Sequence, residues 1–134
     1  MSRSALAQYR CVGAYGSVET ADPHKLVQLL YDGLAEALSM ARGAIDREDI
    51  VAKGAAVRKA AGIIDALRSS LDSERGGDTA ANLERLYDYM GRELTRANVH
   101  GDAAALLSII NVNETLRGAW SAIPEDARRG SMAA

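Results

Sequence analysis

The segment DPHKLVQLLYDGLAEALSMARGAI, residues 22–45, sets the architecture that the rest of the chain must fit. Asp22 suits the N-cap of a helix, and Pro23 suits the first helical position because it has no amide hydrogen to leave unpaired. Apolar residues then recur at helical spacing: Leu26, Leu29, Leu30, Leu34, Ala37, Leu38, Ala41 and Ile45. So broad a stripe indicates a helix that touches more than one neighbour and ends near Arg47.

Further amphipathic segments follow, separated by Asp and Gly signals. Asp49 is placed to cap a second helix, which the loop DSERGGD, residues 72–78, brings to an end. Asp78 or Thr79 caps a third helix, and HGD, residues 100–102, supplies a glycine stop and then the cap of a fourth. The predicted core positions are Ile50, Val57, Ala61, Ile64, Leu67 and Leu71 in the second helix, Leu83, Leu86, Tyr87, Met90, Leu94 and Ala97 in the third, and Leu106, Ile109, Ile110, Leu116, Trp120 and Ile123 in the fourth.

The lengths of these segments determine how they pack. A helix of about 20 residues is roughly 30 Å long, and short links between equal helices make chain neighbours antiparallel. The sequence therefore predicts an all-α fold, an antiparallel up-down four-helix bundle. We assign residues 21–123 to the bundle, residues 1–20 to an N-terminal leader, and residues 124–134 to a disordered tail.

Composition narrows the function classes. The 134 residues are 48% hydrophobic and 25% charged, which is ordinary for a globular protein. A formal net charge of −2 offers no basic field for nucleic acid or anionic lipid. No apolar run approaches the ~20 residues needed to span a membrane. The N-terminus lacks the apolar segment of a secretory signal and the chain has one cysteine, so a cytoplasmic location is expected.

The chain shows no pattern typical of a catalytic or metal site. A di-iron bundle needs Glu-x-x-His pairs, and neither His24 nor His100 follows an acidic residue at that spacing. Cys11, with His24 as a base, would lack an oxyanion loop and an orienting partner. His24 is expected to be exposed in a first helical turn, and His100 to end a helix where positive charge suits the dipole. We therefore predict that the protein is not an enzyme and needs no cofactor or metal.

Binding of another protein is the alternative, and LYDYM, residues 86–90, directs attention to it. Leu86, Tyr87 and Met90 share the core face of the third helix, whereas Tyr89 lies about 100° away from that face. Tyr suits protein contacts because it combines a rigid apolar ring with a hydroxyl that tolerates water. The apolar residues that we place just off the core stripes are Tyr89, Ile63, Leu107 and Val112.

The leader carries a short apolar stripe of its own. Leu6, Tyr9 and Val12 recur at i, i+3 and i+6, which suits one or two helical turns. Such a stripe is too short to be a stable helix alone, so it must dock on its own bundle or on a partner. Our hypothesis is a leader that covers a groove until a client protein displaces it.

The same stretches resemble the flagellar secretion chaperones of the FliS family across nearly the whole chain. LYDYM after a GG loop, with PHKL and LYDG upstream in that order, is a specific combination of motifs. The stretches that carry the resemblance are QYRCV at 8–12, ADPHKLVQLLYDG at 21–33, DIVAKG at 49–54, IIDALRSSLD at 63–72, ERGGDTAANLERLYDYM at 74–90 and LRGAW at 116–120.

The resemblance implies a helical bundle with a short mobile N-terminal cap, here residues 1–20, and a chaperone task in the cytoplasm. The implied client is the disordered C-terminal segment of flagellin, which the chaperone keeps from premature polymerisation and helps to bring to the type III export gate. It also implies that contacts lie in the leader and in LYDYM. Together with the off-stripe residues, the predicted client-binding set is Leu6, Tyr9, Val12, Ile63, Leu86, Tyr87, Tyr89, Met90, Leu107 and Val112.

Two residues depart from what the resemblance implies, and other functions stay open. Asn113 lies in the centre of an apolar face, where it either fixes helix register through a hydrogen bond or faces a polar partner. Gly91 replaces a larger residue and would flatten the surface beside Tyr89.

The alternative functions are a helical oligomerisation module, a metal or haem bundle, and a binder of another flagellar assembly protein. The chain is expected to be a monomer or a homodimer.

Overall fold

Helices account for all the regular structure in the part of the chain that the computed structural model describes, residues 23–71 and 73–124. They are α1 (Pro23–Asp46), α2 (Ile50–Ser69), α3 (Ser73–His100) and α4 (Ala103–Ser121). The predicted leader with Leu6, Tyr9, Cys11 and Val12, the cap Asp22 and residues 125–134 of the predicted tail lie outside the described residues.

The helices pack in a cycle. Helix α1 packs mainly against α2 and α4, and α3 packs against the same two helices, so that α1 and α3 occupy opposite corners. Links of two or three residues join consecutive helices, which makes chain neighbours antiparallel. The predicted all-α four-helix bundle is confirmed.

Asp49 and Asp102 are the N-cap residues of α2 and α4, as the sequence predicts. The Asp49 carboxylate accepts a hydrogen bond from the Ala52 amide at 3.0 Å, and the Asp102 carboxylate accepts one from the Ala105 amide at 3.1 Å. Each bond satisfies an amide that the helix itself leaves unpaired. Gly101 precedes the second cap with a φ of +60°, a left-handed conformation that ends α3 and that glycine adopts without strain.

The predicted loop between the second and third helices is shorter than expected. Helical structure begins already at Ser73 rather than at Asp78 or Thr79. Inside α3, the backbone departs from helical geometry at Gly77, where φ is 55° and ψ is −128°. The long regular part of the helix follows this kink. Glycine adopts this conformation more readily than other residues, which accounts for a kink at Gly77.

Most predicted core residues are buried or half-buried, but Ile50 and Ala61 of α2 are exposed, and one residue predicted to lie outside the core belongs to it. Ile50, predicted to be in the core, is the first residue of α2 and is 75% exposed. Ile63, predicted to lie off the core stripe, is 2% exposed. It follows Ala60 by three residues and precedes Leu67 by four, and both of those side chains are fully buried. Those helical spacings place all three on one face.

These two isoleucines provide a matched test of the core. We expect Ile63→Ala to lower the free energy of unfolding by about 2–5 kcal/mol because it leaves a cavity among packed side chains. Ile50→Ala removes the same atoms from an exposed site and should change it by less than about 0.5 kcal/mol. Urea unfolding followed by circular dichroism measures both values. Equal losses in the two variants would contradict this description of the core.

Candidate protein-binding surfaces

The two tyrosines of LYDYM have different roles. Tyr87 is 2% exposed, and its hydroxyl lies 2.8 Å from the hydroxyl of Tyr31, so that one donates a hydrogen bond to the other across the core. Burial raises the pKa of both tyrosines above their ordinary value. Met90, one turn away, is fully buried. Tyr87 and Met90, both in the predicted client-binding set, therefore connect the helices of the bundle to one another.

Tyr89 lies on the outside of the bundle between α3 and α4. It is half-buried, and its hydroxyl forms a hydrogen bond with the Ser108 hydroxyl of α4. Half-buried Leu86 precedes Tyr89 by three residues, and half-buried Val112 follows Ser108 by four, so each lies one helical turn from this contact. We call Leu86, Tyr89, Ser108 and Val112 the α3–α4 surface, and it gathers three of the predicted client-binding residues.

The remaining members of the predicted set lie elsewhere. Leu107 is 45% exposed and does not belong to the α3–α4 surface. Its helical spacing to Ile110 and Glu114 places it on the side of α4 that faces α1. Ile63 belongs to the core, as described above. Leu6, Tyr9 and Val12 are outside the described residues. The structure thus brings only part of the predicted set together.

Sequence reasoning missed a groove between α2 and α3. It holds about 260 Å³, with Val57, Ile64 and Leu94 among its apolar walls. An ion pair between Arg68 and Asp88 joins the two helices beside it. Gly91 also lines the groove, and a Cβ atom at that position would meet nothing within 4 Å. The predicted flattening by Gly91 therefore affects the α2–α3 groove, on the other side of α3 from Tyr89.

His24 is a correction to the sequence analysis. It was predicted to be exposed, yet it is 4% exposed, and its ring stacks on Trp120 with centroids 4.9 Å apart. The His24 ring nitrogen Nε2 donates to the Trp120 carbonyl at 2.9 Å, and the Trp120 indole N–H donates to the His24 carbonyl at 2.9 Å. We call this contact the His24–Trp120 clasp. It exists because the first turn of α1 and the last turn of α4 meet at one end of the bundle.

Asn113 proves to be a buried, hydrogen-bonded residue. It is fully buried, and its side-chain N–H donates to the Tyr31 carbonyl of α1 at 3.3 Å. A buried amide that must find one partner favours a single register of α4 against α1. The first of the two predicted roles for Asn113 agrees with this geometry.

The described residues offer no evident metal site or membrane span. Among residues 23–71 and 73–124, no three His, Cys, Asp or Glu side chains gather closely enough to hold a metal ion. Within the same ranges, no helix combines the length and apolar character that crossing a membrane requires. The features that stand out are the α3–α4 surface and the α2–α3 groove.

The fold is thus an all-α four-helix bundle with apolar surfaces between its helices, an architecture on which an amphipathic helix of another protein can dock. Comparison with known proteins identifies the family. The model of the family described as flagellar protein FliS matches residues 5–127, and the chain belongs to this family.

Curated relatives are similar in sequence to this chain over most of their length. Flagellar secretion chaperone FliSB of Pseudomonas aeruginosa is 44% identical over 119 residues, which cover 89% of this chain and 94% of the relative. Flagellar secretion chaperone FliS of Salmonella typhimurium is 41% identical over 125 residues, 92% of this chain and 93% of the relative. The Bacillus subtilis protein of that name is 32% identical and covers 84% of each chain. The family is thus one of chaperones, which is not an enzyme class.

The buried tyrosine pair predicts a loss of stability at high pH. The raised pKa of Tyr31 and Tyr87 means that the folded protein keeps these protons after the unfolded chain has begun to release them near pH 10.0. Their contribution is complete below about pH 10 and declines above it, by up to about 1.4 kcal/mol per pH unit for each residue. We expect a double variant, Tyr31→Phe with Tyr87→Phe, to show a shallower decline in urea unfolding between pH 9 and 11. Parallel curves for the two proteins would contradict the assignment.

The clasp predicts a fluorescence signal, because Trp120 is the one tryptophan of the chain. His24→Ala removes the stacked ring and one hydrogen bond, so we expect Trp120 emission to move to longer wavelength. The free energy of unfolding should fall by about 1–3 kcal/mol. His100→Ala, at the exposed end of α3, is the control and should leave emission unchanged. Unaltered emission in His24→Ala would show that the rings do not stack in solution.

Proposed function

We propose that this protein is a cytoplasmic export chaperone that binds the disordered C-terminal segment of flagellin. Binding would keep flagellin from polymerising prematurely and help its delivery to the flagellar type III export apparatus. Membership of the FliS family carries the proposal, since relatives that match over most of both chains are named flagellar secretion chaperones. A chaperone of this kind needs surfaces for a segment that folds as it binds.

The α3–α4 surface and the α2–α3 groove supply such surfaces. Tyr89 offers an aromatic face that is held in place by Ser108, and fixed aromatic side chains are frequent centres of binding energy. The groove beside Gly91 has room for side chains from an amphipathic helix. The leader residues Leu6, Tyr9 and Val12 remain part of the proposed contact set. Tyr87, Met90 and Ile63 support the surface from within.

Coupled folding accounts for binding that is tight and yet reversible. Ordering a disordered segment costs about 2–5 kcal/mol, which offsets part of the favourable burial of apolar surface. A large contact area therefore provides affinity, and the ordering cost keeps dissociation of the client possible. No nucleotide is required in this scheme.

The proposal predicts stoichiometric binding of the C-terminal segment of the host's flagellin in calorimetric titration, with a negative heat-capacity change. Tyr89→Ala should weaken binding about tenfold or more, as expected for a central aromatic contact. Tyr89→Phe keeps the ring and loses the bond to Ser108, so it separates contact area from positioning. Tyr9→Ala tests the leader, and Val51→Ala, at an 83% exposed position on α2, is the control.

The results of these titrations distinguish the chaperone from the alternative functions. Wild-type binding that survives both tyrosine-to-alanine changes would keep the chaperone and discard the proposed contacts. No wild-type binding, combined with self-association in sedimentation, would favour the oligomerisation module. No binding by a monomer would direct the search to other flagellar assembly proteins.

A further inference from the structure

Asp65 of the α2–α3 groove has no partner among the residues that the structure describes. It is half-buried and lines the groove, yet its carboxylate forms no ion pair and no hydrogen bond with residues 23–71 and 73–124. Arg68, one turn further along α2, is already paired with Asp88 of α3. Because Arg68 and Asp88 neutralise each other, Asp65 is left as an uncompensated negative charge in the groove.

Gly91 lies across the groove from Asp65, at the same level of the bundle. The Arg68–Asp88 ion pair marks which parts of the two helices face each other. Asp65 is one turn before Arg68 in α2. Gly91 is one turn after Asp88 in α3. Since the helices are antiparallel, both steps run in the same direction along the bundle, and they bring Asp65 and Gly91 opposite each other.

The packing of the bundle does not require a glycine at position 91. The position lies in the regular part of α3, where glycine is a poor helix former. A Cβ atom there would meet nothing within 4 Å, so no packed neighbour takes the place of the missing side chain. Gly91 instead leaves α3 without a side-chain wall opposite Asp65. The groove is therefore open at this level to a side chain from another molecule.

The groove differs in chemistry between its floor and its rim. Its lining residues are Val57, Ala61, Ile64, Asp65, Arg68, Gly91, Leu94, Thr95 and Asn98. Val57, Ile64 and Leu94 are buried and form the apolar floor, whereas half-buried Asp65 lies nearer the solvent. An apolar group over Asp65 would remove water from the carboxylate without compensation, and an anionic group would be repelled.

A Lys or Arg side chain satisfies both the floor and the rim. Its alkyl stem can cover apolar surface while its charged end reaches a carboxylate. We propose that the α2–α3 groove receives a Lys or Arg side chain of the client segment, with its stem beside Gly91 and its charge at Asp65. Asp65 then selects a cation, and Gly91 gives that cation access. The inference rests on the proposed function for the identity of the client.

Two variants test the roles of Asp65 and Gly91 in calorimetric titration of the full chain with the C-terminal segment of the host's flagellin. Asp65→Asn keeps the shape and removes the charge, so Kd should rise about fivefold, as expected for one partly buried ion pair. The difference from wild type should shrink as salt is added. Asp46→Asn, at the exposed end of α1, makes the same change of net charge and should leave Kd unchanged.

Gly91→Leu fills the groove and should raise Kd about tenfold or more. Leucine is the better helix former, so the urea midpoint should rise at the same time, and the lost binding cannot be ascribed to unfolding. Gly118→Leu is the control, because a Cβ atom there also meets nothing within 4 Å and the residue lies on α4, away from the groove. It should stabilise the protein without changing Kd.

A double-mutant cycle identifies the occupant. Each Lys and Arg of the segment is changed to Met, which keeps an unbranched apolar stem, and is titrated against wild type and Asp65→Asn. One substitution should weaken binding to wild type and have little further effect in Asp65→Asn. Changing that client residue to Glu should restore binding to an Asp65→Lys protein. Coupling to none of them, or to Arg10 of the chain's own leader in an Arg10→Met protein, would show that the client assignment is wrong.

The results separate this inference from the function on which it rests. Wild-type binding that is unchanged in both Asp65→Asn and Gly91→Leu overturns the inference and leaves the chaperone function standing. A segment that does not bind wild type overturns the proposed function, and the inference with it, because its occupant is then missing.

Discussion

Tyr31 is the residue on which the arrangement of three helices depends. Its hydroxyl is hydrogen-bonded to Tyr87 of α3, its carbonyl accepts from Asn113 of α4, and its ring lies edge-on to Trp120 at 6.3 Å. The surroundings are apolar and exclude water, so each polar group must be placed where its partner is. Apolar contacts alone would tolerate small shifts of one helix along another. These polar contacts do not, and they select one arrangement.

The two tyrosines of LYDYM face opposite sides of α3. Tyr87 points inward and meets Tyr31, whereas Tyr89, two residues later, lies on the outside and meets Ser108. Helical geometry separates the two side chains by about 200° around the axis. A rigid inner contact therefore holds an outer aromatic ring in position. A side chain that is already ordered in this way loses little entropy in any contact with another molecule.

How far the sequence predicts this molecule depends on how local each signal is. The caps at Asp49 and Asp102 act within three residues, so local pattern was sufficient to find them. The burial of His24 depends on Trp120, which is 96 positions away, and no local pattern could show it. Ile63 was misplaced because α2 packs against two neighbours and buries a wider face than one stripe suggests. The α2–α3 groove arises between two helices, and the sequence pattern of either helix alone could not show it.

The His24–Trp120 clasp joins the points where the bundle begins and ends in the chain. A load applied to the protein through its two termini would pull α1 and α4 apart from this end. In that geometry the contacts between the helices break one after another, in an unzipping mode, instead of sharing the force as they would in shear. The mechanical resistance of the bundle would then rest first on one ring stack and two hydrogen bonds. A protein that is stable in solution can therefore yield to a modest force when it is held by its ends.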